Sequence, residues 1–427
     1  MTTVLILVFI LGYLAIAFEH VIKLNKAASA LITGVLVWTI FINFNTEKEL
    51  VNESLMHHMG DISGILFFLL SAMVIVELID AHDGFYLVSS RIKTTKIRSL
   101  FWIIAILAFF LSAILDNLTT TIVMVSLVRK LIEEPKKRFL FAGVIVIAAN
   151  AGGAWSPIGD VTTTMLWIGG QISALNIIKS LFLPSLVCIV VPLIILSFRF
   201  KGKLDPKTVH HGSGGLTSTK FERSMVFYTG LGSLIFVPIF KMLTHLPPFM
   251  GILIALGFMW IITEIIHSGK DIAERKPLSV ASALQKIDTS SILFFLGILL
   301  AIAGLQSAEI LNTIAVWMQN TLGNDTNTAI VLGLSSAVVD NVPLVAAAQG
   351  MYGLEQFPQD HYFWEFLAFT TGTGGSTLII GSAAGVAAMG LEKIDFFWYL
   401  RNISFLALVG FLAGALTYIL QYNIIHS

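Results

Sequence analysis

The sequence predicts an all-α polytopic membrane protein of two inverted-topology repeats, each with about five spans, one re-entrant hairpin and one broken helix. Three observations lead there. First, of 427 residues 56% are hydrophobic and only 12% charged, with mean hydropathy +0.86; a soluble domain carries about twice that share of charge. Second, the pair Asp-Asn recurs in one apolar frame, Ser112-Ala-Ile-Leu-Asp116-Asn117 and Ser336-Ala-Val-Val-Asp340-Asn341. Third, Lys and Arg crowd some loops and avoid others, as cytoplasmic and external loops do.

Met1 and its neighbours lack the basic n-region of a signal peptide, so residues 4–18 are expected to stay as a first span. Lys23 and Lys26 place the next loop inside, and the acidic stretch around Glu47, Glu49 and Glu53 places the following one outside. After the apolar run 62–79 comes a basic cluster, Arg91, Lys93, Lys96 and Arg98, on the inside again. A second basic cluster, Arg129, Lys130, Lys136, Lys137 and Arg138, follows the segment that holds Asp116-Asn117. A segment with both ends on one side has not crossed, so residues 100–132 are expected to form a re-entrant hairpin with Asp116-Asn117 near its tip.

The second half mirrors the first. No Lys or Arg occurs between 287 and 392, so the segment 327–354 with Asp340-Asn341 is expected to enter from outside. Two further blocks repeat: Asp61-Ile-Ser-Gly-Ile-Leu-Phe-Phe-Leu with Asp288-Thr-Ser-Ser-Ile-Leu-Phe-Phe-Leu before the hairpins, and the stretch Asn150 to Asp160 with the stretch Gly372 to Ser382 after them. Gly and Pro interruptions at matching places in two halves point to discontinuous helices and a binding site, here at about 139–170 and 361–390. The repeats would span 1–200 and 224–427. The Gly-rich, basic segment 201–223 reads as a flexible cytoplasmic linker. Segments 83–90 and 307–319 read as amphipathic connectors on the membrane surface.

If the repeats pack face to face, the hairpin tips and broken helices converge near the midplane. Asp116, Asn117, Thr119, Asn150, Ser156 and Asp160 then face Asp340, Asn341, Thr371, Thr373, Ser376 and Ser382. Carboxylates, amides and hydroxyls without His or Cys suit a small hard cation rather than zinc or copper. Na+ or Li+ is assigned to Asp116, Asn117, Asp340 and Asn341, with Asn150 and Asp160 completing the cation- and proton-binding set. Thr119, Ser156, Thr371, Thr373, Ser376 and Ser382 are secondary candidates, because Ser and Thr in membrane helices also bond back to the preceding turn. Closely spaced carboxylates need a compensating cation, either a proton or a metal ion, which is the minimum for exchanging one for the other.

Asp61 and Asp288 are helix caps or proton relays, and Glu77 is a relay or an interfacial side chain. Glu365, early in its span, has the same two readings. His57-His58, before the third span, is a pH sensor or a plain loop pair. Trp155 and Trp167 have no ligand role, and Cys188 alone excludes an intramolecular disulfide. Net charge is zero, which offers nothing for nucleic acid. No nucleophile–base pair or His-Glu-x-x-His motif points to an enzyme, and no cofactor is called for.

The blocks Leu115-Asp-Asn-Leu-Thr-Thr-Thr, Asn150-Ala-Gly-Gly-Ala-Trp-Ser-Pro-Ile-Gly-Asp and Val339-Asp-Asn-Val-Pro-Leu resemble the NhaD type of bacterial sodium/proton antiporter, over essentially the whole chain. That family lies in the ion transporter superfamily with arsenite permeases, citrate carriers and divalent-anion/sodium symporters. The resemblance implies export of Na+ or Li+ against inward H+, a homodimer, and elevator-like movement of the hairpin-bearing part. It also implies a multi-pass protein of the cell (inner) membrane; the basic-residue pattern puts both termini outside. By motif match it assigns function to Asp116, Asn117, Asn150, Asp160, Asp340 and Asn341. The alternative is a sodium-coupled di- or tricarboxylate symporter of the same architecture. Gly372 and Ser382 replace Asn150 and Asp160 in the second broken helix, so the site is expected to be asymmetric.

Overall fold

The computed structural model describes residues 1–198 and 218–426 apart from Phe18, Lys93, Thr95 and Glu133. Residues 201–217 of the expected linker, including its Gly212-Ser-Gly-Gly stretch, and Lys93 of the first basic cluster lie outside the described residues. The described residues are mostly helical, and nine helices among them are long and apolar enough to cross a membrane.

The main helices of the first half, spanning or shorter, are α1 (Thr2–Ala17), α2 (Lys26–Phe44) and α3 (Lys48–Ala81), then α4 (Ile97–Leu115), α5 (Asn117–Leu131), α6 (Pro135–Ala154), α7 (Val161–Ile168) and α8 (Ala174–Ser197). The second half begins with α9 (Lys220–Thr244), α10 (Pro248–Ile266), α11 (Thr289–Ser307) and α12 (Ile310–Leu322). It continues with α13 (Asp325–Ser335), α14 (Asn341–Met351), α15 (Tyr362–Gly374), α16 (Ala383–Glu392) and α17 (Phe405–His426).

Two groups of helices emerge. In one, α2 packs on α11 and α10 on α3, with α1 beside α2 and α9 beside α10. In the other, α4 packs on α6 as α13 packs on α15, and α8 lies along α17. The hairpins cross over: α5 packs on α16 and α14 on α7, so each second arm meets the broken helix of the other half. The groups touch through α11 with α14, α3 with α7 and α9 with α4, while α12 borders both.

Local chemistry sets the helix ends. Thr219 and Glu222 form a reciprocal capping box on α9, so that helix starts at Lys220, inside the segment expected to be linker. Pro135 opens α6 at a position where its missing N–H is not needed.

Hydropathy misjudges α3. The acidic stretch expected to be a loop is helical from Lys48, giving one helix of 34 residues. At about 1.5 Å per residue that is roughly 50 Å, well beyond about 30 Å of hydrocarbon. Asp61 therefore sits mid-helix, exposed and 3.7 Å from His57 one turn back, and does not begin a span. His57 and His58 are likewise helical. Asp288 does cap its helix, accepting from Ser291 N (3.1 Å) and Ser291 Oγ (2.5 Å). Matching motifs thus occupy different local structures: Asp61 lies within continuous helix, whereas a short helix, Val280–Lys286, ends before Asp288 with Ile287 extended. The connector expected at 83–90 is a single helical turn, Tyr86–Ser89.

The hairpins also differ in length. The arms of the second are 11 residues each, about 16 Å and too short to cross. Those of the first are 19 and 15 residues.

Candidate cation site

Four helices begin at one place. Asp116 separates α4 from α5 by a single residue at φ 93°, ψ 160°. For a residue with a Cβ that backbone is strained, by about 1–3 kcal/mol. Its carboxylate stabilises the reversal by accepting from Thr119 N (2.7 Å) and Thr119 Oγ1 (2.9 Å). Asp160 caps α7 through Thr162 N (3.1 Å), Asp340 caps α14 through Val342 N (3.1 Å), and Ser382 caps α16 through Gly385 N (3.2 Å). The positive ends of α5, α7 and α14 are therefore each matched by a carboxylate, and that of α16 by a hydroxyl.

Behind the caps the side chains join. Asn117 Nδ2 donates to Asp160 Oδ2 at 2.9 Å and to Asn150 Oδ1 at 3.0 Å. Asn341 Nδ2 reaches the same Asp160 oxygen at 3.4 Å. Asn150 Nδ2 donates to Ser376 Oγ and Ser382 Oγ, both at 2.9 Å. One chain of hydrogen bonds thus links both hairpins and both broken helices, and all six residues are buried. Asp160 is its hub, taking amide donors from both halves while lying within electrostatic reach of Asp340 and Asp116. Gly372, where Asn150 would align, packs closely here: a Cβ would lie 3.2 Å from Ala154 Cβ and 3.8 Å from Asp160 Oδ2.

The remaining candidates divide. Asp116 and Asp340 are half-buried and use their carboxylates as caps at the rim of this network. Thr119 serves the Asp116 cap. Ser156 Oγ donates to Ala113 O (2.5 Å), tying the first broken helix to its hairpin. Thr371 and Thr373 bond back to Leu367 O and Phe369 O, each at 2.6 Å, so their hydroxyls turn away. Asp61 and Asp288 are exposed far from the cluster's hydrogen bonds, and Glu77 pairs with Lys286 at 3.2 Å. Glu365 is buried elsewhere, between Asn176 and Tyr418 Oη (2.7 Å).

Two groups escaped sequence reasoning. Ser112 Oγ donates to Ala149 O (2.5 Å) and Ser336 Oγ to Thr371 O (3.0 Å), the same strut in both halves. The signal was present, since each Ser stands four residues before its Asp. Tyr13 of α1 approaches Asp340 closely enough to feel its charge, a contact that no local pattern announces.

A family model described as Citrate transporter matches residues 3–374. Sodium/proton antiporter 1 of Arabidopsis thaliana is 51% identical over 423 residues, 98% of this chain and 72% of its own length. Proteins named Na(+)/H(+) antiporter NhaD from Vibrio cholerae and Alkalimonas amylolytica are 31% and 30% identical, over 90% and 93% of this chain and 84% and 86% of theirs.

Proposed function

The chain belongs to the NhaD-type sodium/proton antiporters of the ion transporter superfamily, and from that premise we propose that it exchanges cytoplasmic Na+ or Li+ for external H+ at the Asp160 cluster. The observation that carries this is the hub itself. One buried carboxylate receives amides from both hairpins and has two further carboxylates within electrostatic reach. Asn117 and Asn341 turn Nδ2 toward Asp160, which directs their Oδ1 atoms away from it, as ligands for a hard cation. Three carboxylates this close, one of them buried, need a compensating positive charge. Na+ and H+ each supply it, and binding of one displaces the other. Asn150, Ser376 and Ser382 hold the two broken helices in register around the ion.

The path across the membrane follows from the two groups of helices. The group with hairpins and broken helices would move against the group of α1–α3 and α9–α11, presenting the cluster to alternate sides. Reciprocal pairing of the two halves supports inverted repeats, and basic residues at both ends of the first hairpin support its being re-entrant although α4 alone is long enough to span. A homodimer with both termini outside completes the proposal.

The family description favours a second reading, sodium-coupled uptake of a di- or tricarboxylate. Helix N-termini do attract anions, but three of the four here already face carboxylates of the protein. The donors in the cluster are amides, hydroxyls and backbone N–H groups, with no Lys or Arg among its hydrogen bonds. In inverted vesicles carrying a pH gradient, addition of Na+ or Li+ is expected to dequench a pH-sensitive dye, and Asp116→Asn and Asp340→Asn to lose that response. A response to citrate alone, or full activity in both variants, would overturn the reading.

A further inference from the structure

Far from the cation cluster, at the basic end of the helices, α3 and α10 finish against each other. His82 follows α3 and His267 follows α10, both fully buried, with rings 5.0 Å apart and nearly parallel. Their Nε2 atoms are 2.8 Å apart, and His82 Nδ1 lies 2.7 Å from Leu78 O. The proton positions follow from these partners. A backbone carbonyl only accepts, so His82 carries its proton on Nδ1 and offers a lone pair at Nε2. His267 must then donate from Nε2, which leaves its Nδ1 without a proton. That atom is buried and makes no hydrogen bond. It faces Glu222 Oε1 of α9 at 3.8 Å. A bare lone pair set against a carboxylate is repulsive, and a proton added there turns the repulsion into an ion pair.

The surrounding groups define what opposes that proton. Lys270 Nζ is 2.9 Å from Glu222 Oε2, which also accepts from Thr219 N (2.9 Å). Glu222 is therefore fixed in place and shares its charge with a lysine. Arg223 donates to Ser218 O (2.9 Å) and lies over Tyr86, while Ser218 Oγ donates to His82 O (2.5 Å) and faces Asp83 (3.4 Å). Burial holds His82 down to about 4, and burial followed by Lys270 holds His267 below its ordinary value, with Glu222 acting the other way. A second proton is blocked, because it would set two N–H groups against each other across 2.8 Å.

We propose that His267 Nδ1, held between His82 and Glu222, is a proton-binding site separate from the transported ions, through which pH on the basic side acts on the moving group of helices. The route is short. The helices clasped here, α3 and α9, hold Trp167 of α7 with their more distant turns: Phe68 packs edge-on to its ring at 6.5 Å, and Lys241 donates to its carbonyl at 2.7 Å while lying 4.8 Å over the ring. A proton at His267 changes the charge of the clasp from which both contacts are held.

The inference goes beyond the exchange reaction, and its first test reads the site whatever ion the protein carries. In full-length protein labelled with 15N-histidine and held in lipid nanodiscs, His267 is expected to protonate at Nδ1 while His82 stays neutral down to about pH 5. Glu222→Gln should lower the His267 midpoint by about one unit, the usual effect of losing one close carboxylate. In proteoliposomes with saturating Na+, His267→Gln keeps a donor toward His82 and takes up no proton. It is expected to lose one titration step from the dependence of rate on pH at the basic side, with a maximal rate within about twofold of the parent. A His267 signal that does not titrate, a midpoint unmoved in Glu222→Gln, or a pH profile unchanged in His267→Gln would each overturn the proposal.

Discussion

Asp160→Asn is expected to abolish exchange of Na+ and Li+ for protons while leaving the protein folded. Asparagine keeps the size of the side chain and an oxygen for Thr162 N, but sets an NH2 group where Oδ2 accepts from Asn117 and Asn341, so the change removes the charge together with the acceptor at the hub. Removing one partner of a buried charge pair costs about 2–5 kcal/mol. That is a loss of affinity on the order of 100-fold or more. Dequenching by Na+ in inverted vesicles should fall to background with the expression level unchanged. Retained activity would move the ion away from the hub and onto the caps, Asp116 and Asp340.

The second large effect concerns the frame. Gly152 of α6 crosses α4 so closely that a Cβ would collide with Phe109 O, and Gly374 of α15 makes the same approach to Gly333 O of α13. Neither obstacle is the tip of a flexible side chain; both are backbone of a hairpin arm. Gly374→Ala must push the hairpin off the broken helix, a cost of about 1–3 kcal/mol or more, and it displaces the Ser336 strut on the way. The expected result is a clear fall in melting temperature together with loss of transport. Gly390→Ala in α16 is the control, because a Cβ there meets nothing within 4 Å; it should be neutral or slightly stabilising.

These two experiments separate what the sequence makes legible from what it does not. The Asp-Asn pairs, the Gly-rich breaks and their common order are visible because the same polar residues occur twice, in the same sequence order, against an apolar background. Which acid serves as hub is not visible. Asp116, Asp160 and Asp340 are each a carboxylate before a helix, and only packing decides that Asp160 receives both amides while the other two stand at the rim. Asp61 and Asp288 share a motif, yet one lies inside a continuous helix and the other caps one. Residues 48–61, which mix Lys48, Glu49, Glu53, His57, His58 and Asp61 with apolar side chains, lengthen α3 beyond its apolar run, where hydropathy cannot tell a helix from a loop. The His82–His267 contact joins residues 185 apart, and no spacing rule reaches that far.

The central claim is that a metal ion and a proton compete for one carboxylate cluster, and it is tested most directly by proton release. Purified protein in weak buffer should acidify the medium when Na+ or Li+ is added and give no such signal with citrate. The same addition to Asp160→Asn should release no proton. Absence of release from the parent protein, or undiminished release from Asp160→Asn, would contradict the account.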